Sequence, residues 1–467
     1  MCNRMLGASW GHLLLRVALV STYLLLILGA LPGGAVHAQA SADMTKDIIV
    51  GVRREAKIGE INKFYRTVTV EQIRRKAVYR LRVTMPSPVD PVAFLDLLSQ
   101  MNMDGRRGIL YAVADQSDVF SGSSVPFDNY IWSLLGPGDV SAQPAMAQIG
   151  LGVTQPRTAT GAGVTVAVID SGFNANHPFL HDAWAPSTAR WDYLDGDNDP
   201  EDRRDGVDGD GDGQVDESFG HGVFVAGIVH AVAMDARIAP YRVVDNEGRV
   251  RDRDVANAIG RAVIAGVRVI NLSLVIPGNS PVLSAAIQQA AAAGVLVVAS
   301  AGNAASGAPS YPAADPCAVS VTAVDATGAL APFANYGSDV DLTLPGVNVL
   351  SSFPRSTLPA EQGGGEYQYA IWSGTSVAAP FVSGQAAALL SKDPSLGPAE
   401  LSALIAGTAT PVDWNNPARQ GLLGWGIPDV TSSLALLGQR LGLNPAADLL
   451  AACPGVNRTA SQWTTPR

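Results

Sequence analysis

Val267-Arg268-Val269-Ile270-Asn271-Leu272-Ser273-Leu274 is followed by an Ala-rich run over 281–293 and, past Gly294, by Val295-Leu296-Val297-Val298-Ala299-Ser300. This stretch decides the fold class. Two short runs rich in β-branched residues flank a segment of helical length. The apolar tract 285–301 has the look of a membrane span, but Gly294 splits it into an Ala-rich half and a β-branched half. It therefore reads as a buried helix feeding a buried strand.

The same pattern extends in both directions. Apolar runs at 164–170, 238–244 and 318–324 predict further buried strands, and 254–265 predicts another helix. Near-continuous apolar strands alternating with helices imply an α/β fold, a parallel sheet with helices on both faces. In such sheets the reactive groups gather beyond the C-terminal ends of the strands. No internal repeat of fixed period is present.

The 467 residues are 47% hydrophobic and 16% charged, which permits a large core and excludes global disorder. A formal net charge of −10 argues against nucleic acid as a partner, since binding a phosphate backbone needs a basic face. The charge is unevenly spread. Residues 41–116 carry net +4 and residues 1–40 carry +2, leaving −16 on residues 117–467. A basic front piece thus precedes an acidic body.

At the start, Arg4 and Arg16 precede an apolar run over 17–30, which Pro32, Gly33 and Gly34 interrupt; Ala38-Gln39-Ala40 offers small residues for cleavage. The run is shorter than the roughly 18 residues a spanning helix needs. Residues 1–40 are read as a secretory signal, so the expected location is secreted or periplasmic, with no membrane association once the signal is removed. Residues 41–116 predict a small α+β module: a strand at 78–84, a helix over 91–101 capped by Asp90, and a strand at 109–113. Residues 117–146 read as a linker or processing region, rich in Ser, Gly and Pro. Past the body, 437–467 form a tail. Cys317 and Cys453 remain outside the signal, either one disulfide tying tail to body or two unpaired thiols.

Three segments carry the chemistry: Asp170-Ser171-Gly172 at a strand end, Gly220-His221-Gly222, and Gly374-Thr375-Ser376-Val377-Ala378-Ala379-Pro380. Serine is a poor nucleophile at neutral pH. A histidine must take its proton, and a carboxylate must hold the imidazole in one tautomer and stabilise it once charged. Asp170, His221 and Ser376 suit those roles. Ser376 is expected to open a helix running to about residue 390, whose N-terminal N–H groups favour developing negative charge.

On these three segments the chain resembles the subtilisin-like serine proteases, over residues 147–436. The order Asp, His, Ser is that of subtilisin itself, so it is matched and not deduced. Supporting matches are His177-Pro178, Val269 to Leu274, Ala301-Gly302-Asn303, Tyr311-Pro312, Phe333-Ala334-Asn335-Tyr336-Gly337 and Gly424-Trp425-Gly426. The resemblance implies a three-layer subtilisin-like sheet and a secreted serine endopeptidase acting through an acyl-enzyme on protein or peptide substrates. It also implies that Asn303 donates to an oxyanion beside the Ser376 N–H. The front module would be an inhibitory propeptide, making the protein an autoprocessed zymogen. Substrate would lie along Gly248-Arg249-Val250 and Ser273-Leu274-Val275, with Ala301 and Gly302 beside it.

Three departures from the family pattern matter. Val275-Ile276-Pro277 follows Ser273-Leu274 where a glycine pair is usual, and Val250 replaces a glycine, so a narrowed pocket is expected. Val223 replaces the threonine after His221-Gly222.

Between Asp170 and His221, residues 192–217 hold 12 acids against Arg203 and Arg204. Asp208-x-Asp210-x-Asp212-Gly213-Gln214-x-Asp216 follows an EF-hand-like calcium loop until its last position, where Phe219 stands in place of the bidentate Glu. Glu217 or Asp205 would have to serve instead. A structural calcium ion on Asp208, Asp210, Asp212, Gln214 and Asp216 is the expectation, and a solvated acidic loop the alternative. Two other functions share these features: a calcium-dependent secreted binding protein with a vestigial triad, and a peptide acyl transferase using the same intermediate.

Overall fold

The computed structural model describes residues 44–52, 56–72, 78–85, 97, 100–101, 105–107, 109–114, 119–120, 123–126, 137–152, 159–209, 215–276, 278–354, 368–439, 447–454 and 456. The expected signal over 1–40, the Asp90 cap, and Asp210, Asp212 and Gln214 of the acidic loop lie outside the described residues.

The front module is an antiparallel sheet of β1 (Met44–Val52), β2 (Thr67–Gln72), β3 (Val78–Met85) and β4 (Ile109–Ala114), in the order β2-β3-β1-β4. The alternation at 78–84 becomes β3, which buries Leu81 and Val83 and exposes Arg82 and Thr84. A helix over Ile58–Tyr65 adds Ile61 and Tyr65 to the buried set. Sequence reading missed β1, β2 and this helix. The helix is short and its N-cap, Lys57, makes no side-chain cap, so no start signal marks it. Of the helix expected over 91–101, residues 97, 100 and 101 are described and are helical.

Within 117–146 there is local structure. A small hairpin pairs β5 (Val119–Phe120) with β6 (Ser123–Pro126). Helices Pro137–Ala142 and Pro144–Gln148 follow and bury Val140, Ala145 and Met146. Between them, Gln143 behaves like a strand residue. Its Nε2 donates to Leu350 O at 2.7 Å, and its Oε1 accepts from Leu350 N at 2.8 Å. The stretch after Pro137 is thus built into the body.

The body is a seven-stranded sheet formed by β7 (Thr165–Asp170), β8 (Trp191–Asp192), β9 (Arg237–Arg242), β10 (Val269–Leu272), β11 (Leu296–Ser300), β12 (Ala318–Val324) and β13 (Leu342–Pro345). Its order is β13-β12-β11-β10-β7-β9-β8, and every pairing is parallel. The five strands read from apolar runs all form. β8, with two residues, and β13, which ends at Pro345, escaped that reading because neither presents a long run. An antiparallel hairpin, β14 (Val349–Phe353) with β15 (Gln368–Trp372), follows the sheet.

Helices cover both faces. Helices His221–Val232 and Thr375–Lys392 pack on each other, as do Asp252–Ile264 and Pro281–Ala292. The last begins where the Ser280 hydroxyl accepts from Leu283 N and Pro281 supplies a preset φ. Beyond helix Val430–Gln439, the tail returns to the body, burying Ala447, Leu450, Cys453 and Val456. Cys317 and Cys453 are joined in a disulfide that closes a separation of 136 residues. No helix among the described residues is long and apolar enough to cross a membrane.

Candidate active site

Asp170 is the last residue of β7, so the chain delivers its carboxylate to the C-terminal rim of the sheet. The buried Oδ1 lies 2.7 Å from Nδ1 of His221 and also accepts from Ser171 N at 2.7 Å. A carboxylate acceptor assigns the proton to Nδ1 and leaves Nε2 as the basic nitrogen. His221 opens the helix His221–Val232, whose start is set by Gly220 at φ 85°, a conformation suited to glycine. Its ring stacks on Trp372 of β15, centroids 5.7 Å apart, and Trp372 in turn stacks on Phe224 at 4.7 Å. The imidazole is thus fixed by the carboxylate at one nitrogen and by an indole on its face. No sequence signal connected Trp372 with His221; the partner lies on a hairpin far along the chain.

Ser376 is the second residue of helix Thr375–Lys392. The ends of the neighbouring strands hold it at the same rim. Gly374 N donates to Gly346 O just past β13, Gly302 N just past β11 donates to Thr375 Oγ1, and the Ser273 hydroxyl just past β10 donates to Ser376 O. β10 is the direct neighbour of β7, which ends at Asp170. The buried Ser376 Oγ has no hydrogen-bond partner among the described residues. Catalytic contacts without substrate are often open and tighten on binding.

Asn303 faces the serine across Gly374. Its Oδ1 accepts from both Thr375 N and Thr375 Oγ1 at 2.9 Å, which points Nδ2 the other way. A Cβ placed on Gly374 would stand 3.0 Å from Ser376 Oγ and 3.6 Å from Asn303 Nδ2. Gly374 therefore keeps open the space between hydroxyl and amide. That space suits a substrate carbonyl oxygen.

The residues read as substrate-binding fall at three places, after β9, β10 and β11. Gly248-Arg249-Val250 forms a turn closed by the Val244–Val250 bridge, with Gly248 at φ 72° and Arg249 Nε 2.8 Å from Asp245 Oδ2. Ser273 and Leu274 are buried and Val275 half-buried, while Ile276 N donates to Tyr311 O at 2.8 Å. Ala301 and Gly302 are buried beside Asn303, and Ala301 O already accepts from Ser310 N and Asn335 Nδ2. Val223 is fully buried, and its carbonyl accepts from Ser352 Oγ.

In the acidic loop, Asp208 is exposed and Asp216 buried. The Asp216 carboxylate accepts from Asp205 N and Gly206 N, and Asp216 N donates to Glu247 Oε1 at 3.4 Å. Glu217 and Glu247 are also buried here. These are hard oxygen donors of the kind a divalent cation takes. Among the described residues, no group of three or more His, Cys, Asp or Glu side chains is arranged to hold a metal.

The sequence and the fold have relatives among known proteins. The subtilase family profile matches residues 161–426. Over 276 residues the chain is 33% identical to Subtilisin BL of Lederbergia lenta, covering 57% of this chain and 91% of that protein. It is 35% identical over 244 residues to thermitase of Thermoactinomyces vulgaris, covering 50% and 77%. A protease structure from Pseudoalteromonas arctica superimposes with a TM-score of 0.54 at 28% identity, covering 63% of this chain and 97% of that one. With its parallel sheet, helices on both faces and this profile match, the chain belongs to the subtilase family and is a serine-type endopeptidase.

Proposed function

We propose that Asp170, His221 and Ser376 form the catalytic triad and that Asn303 donates to the oxyanion. The observation that carries this reading is the buried 2.7 Å contact of Asp170 with His221, at the same rim where three strand ends hold Ser376. Ser376 Oγ attacks the scissile carbonyl carbon while His221 Nε2 takes its proton; Asp170 stabilises the imidazolium. The carbonyl oxygen becomes an oxyanion in the space beside Gly374, stabilised by Ser376 N–H and Asn303 Nδ2. The imidazolium then protonates the leaving amine, and water releases the acyl group by the reverse sequence.

The finer biology belongs to the same proposal. Residues 1–40 direct export, residues 41–116 act as an intramolecular inhibitor, and cleavage between the module and the body releases the active enzyme. The basic charge of the front piece against the acidic body supports this. Calcium bound at the acidic loop, through Asp208, Asp210, Asp212, Gln214 and Asp216, would neutralise that segment close to His221.

The test is mass spectrometry of the secreted protein and of Ser376→Ala, with fluorophosphonate labelling of each. Wild type is expected to lack its leader, to be cut between module and body, and to carry the label on Ser376. Ser376→Ala is expected to stay uncut and unlabelled. Labelling or self-cleavage that persists in Ser376→Ala overturns the triad.

A further inference from the structure

Asp202 lies within the acidic insert, yet its side chain is buried. Its neighbourhood is docked on the turn after Asp170. Phe173 N donates to Pro200 O at 3.0 Å, and Asp202 N donates to Phe173 O at 2.8 Å. Gly172 makes this approach possible: at φ 134°, any Cβ there would stand 2.7 Å from Pro200 O.

From that position one carboxylate oxygen, Oδ2, accepts two hydrogen bonds of 2.8 Å, from Gly220 N and from the Ser171 hydroxyl. The Ser171 oxygen accepts in turn from Gly222 N at 3.0 Å. Gly220 and Gly222 are the two residues flanking His221. The amide on one side of the histidine is therefore held by Asp202 directly, and the amide on the other side through Ser171. Ser171 N also donates to the Asp170 oxygen that meets the imidazole. The same small group of atoms thus ties the end of β7 to the start of the helix that carries His221.

We propose that Asp202 is a positioning residue for the triad proposed above: its carboxylate holds the peptide groups on both sides of His221 in register with Asp170. This rests on the triad reading. Asp202 does not touch the reacting atoms and acts through the backbone of the general base.

The charged form is the better acceptor for both donors. Burial pushes the Asp202 carboxyl up to about 7, despite the hydrogen bonds from Gly220 and Ser171 and the nearby Arg242 cation, and the Asp170 charge adds to the rise. Arg204 also feels the Asp202 charge. Among the described residues, Asp170, Arg242 and Arg204 are the charged groups that interact with it. Asp202 therefore changes protonation near neutral pH.

The experiment measures the rate of Ser376 labelling by diisopropyl fluorophosphate from pH 5 to 9, using the purified processed protein, with melting temperature recorded in parallel. Asp202→Ala is expected to label about 10²-fold more slowly, the penalty typical of a slightly misplaced reacting group. Asp202→Asn keeps the volume and one acceptor oxygen. It is expected to recover to within about 10-fold and to show a shallower acid limb than wild type, because the Asp202 ionisation is gone. Ser171→Ala, which removes the relay from Asp202 to Gly222 N and leaves the direct bond to Gly220 N, is expected to slow labelling about 10-fold, and it provides a further reading where Asp202→Ala fails to fold. Variants that melt earlier but label at the wild-type rate, with a superimposable acid limb, overturn the positioning role alone. A wild type that does not label overturns the triad and this role with it.

Discussion

The hydroxyl of Ser273 donates a 2.7 Å hydrogen bond to the backbone carbonyl of Ser376. The helix itself leaves that carbonyl open: residue 380, four positions on, is a proline with no N–H to return. Ser273 fills the place, and it is steadied by Asn271, whose Nδ2 donates to Ser273 Oγ while its Oδ1 accepts from Ser383 Oγ. The first turn of the serine's helix is thus anchored to the end of β10. Ser273→Ala is expected to leave a buried carbonyl unsatisfied and to cost about 1–3 kcal/mol of stability. Denaturant titration of wild type and variant checks this. An unchanged midpoint would mean that water satisfies the carbonyl equally well.

Gly374 is expected to tolerate no side chain in the active enzyme. An added methyl would sit between Ser376 Oγ and the amide of Asn303, where the proposed mechanism puts the substrate carbonyl oxygen. Gly374 has an extended backbone, so the penalty is one of space and not of strain. Gly374→Ala should therefore melt close to wild type and lose turnover. Asn303→Ala should lower kcat by ~10²–10³ with little change in KM, a magnitude that comes from subtilisin itself. Steady-state kinetics on labelled casein, beside thermal melts, separates these outcomes from simple unfolding.

Asp341 gives the fold a built-in sensitivity to pH. It stands immediately before β13, a half-buried residue whose Oδ2 accepts from Ser320 N at 2.7 Å. Burial pushes its carboxyl up to about 7, and the neighbouring Asp339 charge adds to the rise. The folded chain therefore keeps a proton that the unfolded chain has lost between about pH 4 and 7. Over that window the folded state binds more protons, so this contribution to stability falls as pH rises and is gone above about 7. Asp341→Asn removes the need to ionise while keeping an acceptor for Ser320 N. It is expected to be more stable than wild type at pH 8 by roughly 1–3 kcal/mol, with the difference vanishing near pH 4. Calorimetry across that range checks both sign and window.

Chelation is expected to act on stability and catalysis together. The Asp216 carboxylate binds the amides of residues 205 and 206, and His221 follows only five positions later. Adding EDTA should lower both the melting temperature and the Ser376 labelling rate, and added calcium should restore them. A chelator that changes neither would identify the insert as a solvated acidic loop.

Much of this arrangement is legible in the sequence, for identifiable reasons. β7, β9, β10, β11 and β12 announce themselves because strands buried on both faces must be apolar throughout, and the helices between them carry caps such as Ser280. Asp170, His221 and Ser376 stand out because their chemistry needs those residue types in characteristic surroundings. What was not legible is contact between distant segments. Nothing near Gln143 hints that its amide imitates a strand against Leu350. Nor does the sequence distinguish Asp202, buried beneath His221, from the exposed acids that follow it, since twelve carboxylates in a row look alike until burial separates them. The sequence suggests a substrate contact for Ser273, but its bond to Ser376 depends on a missing N–H that only the helix geometry reveals.

The bond between Cys317 and Cys453 has a practical consequence for an enzyme exposed to its own kind. A nick anywhere in the intervening chain, even immediately ahead of Ser376, leaves two fragments that remain one covalent particle. Such damage is invisible on a gel run without reductant and appears as two bands once thiol is added. A preparation that looks intact by size can therefore already be cut, and its remaining activity reports how well the halves stay clasped.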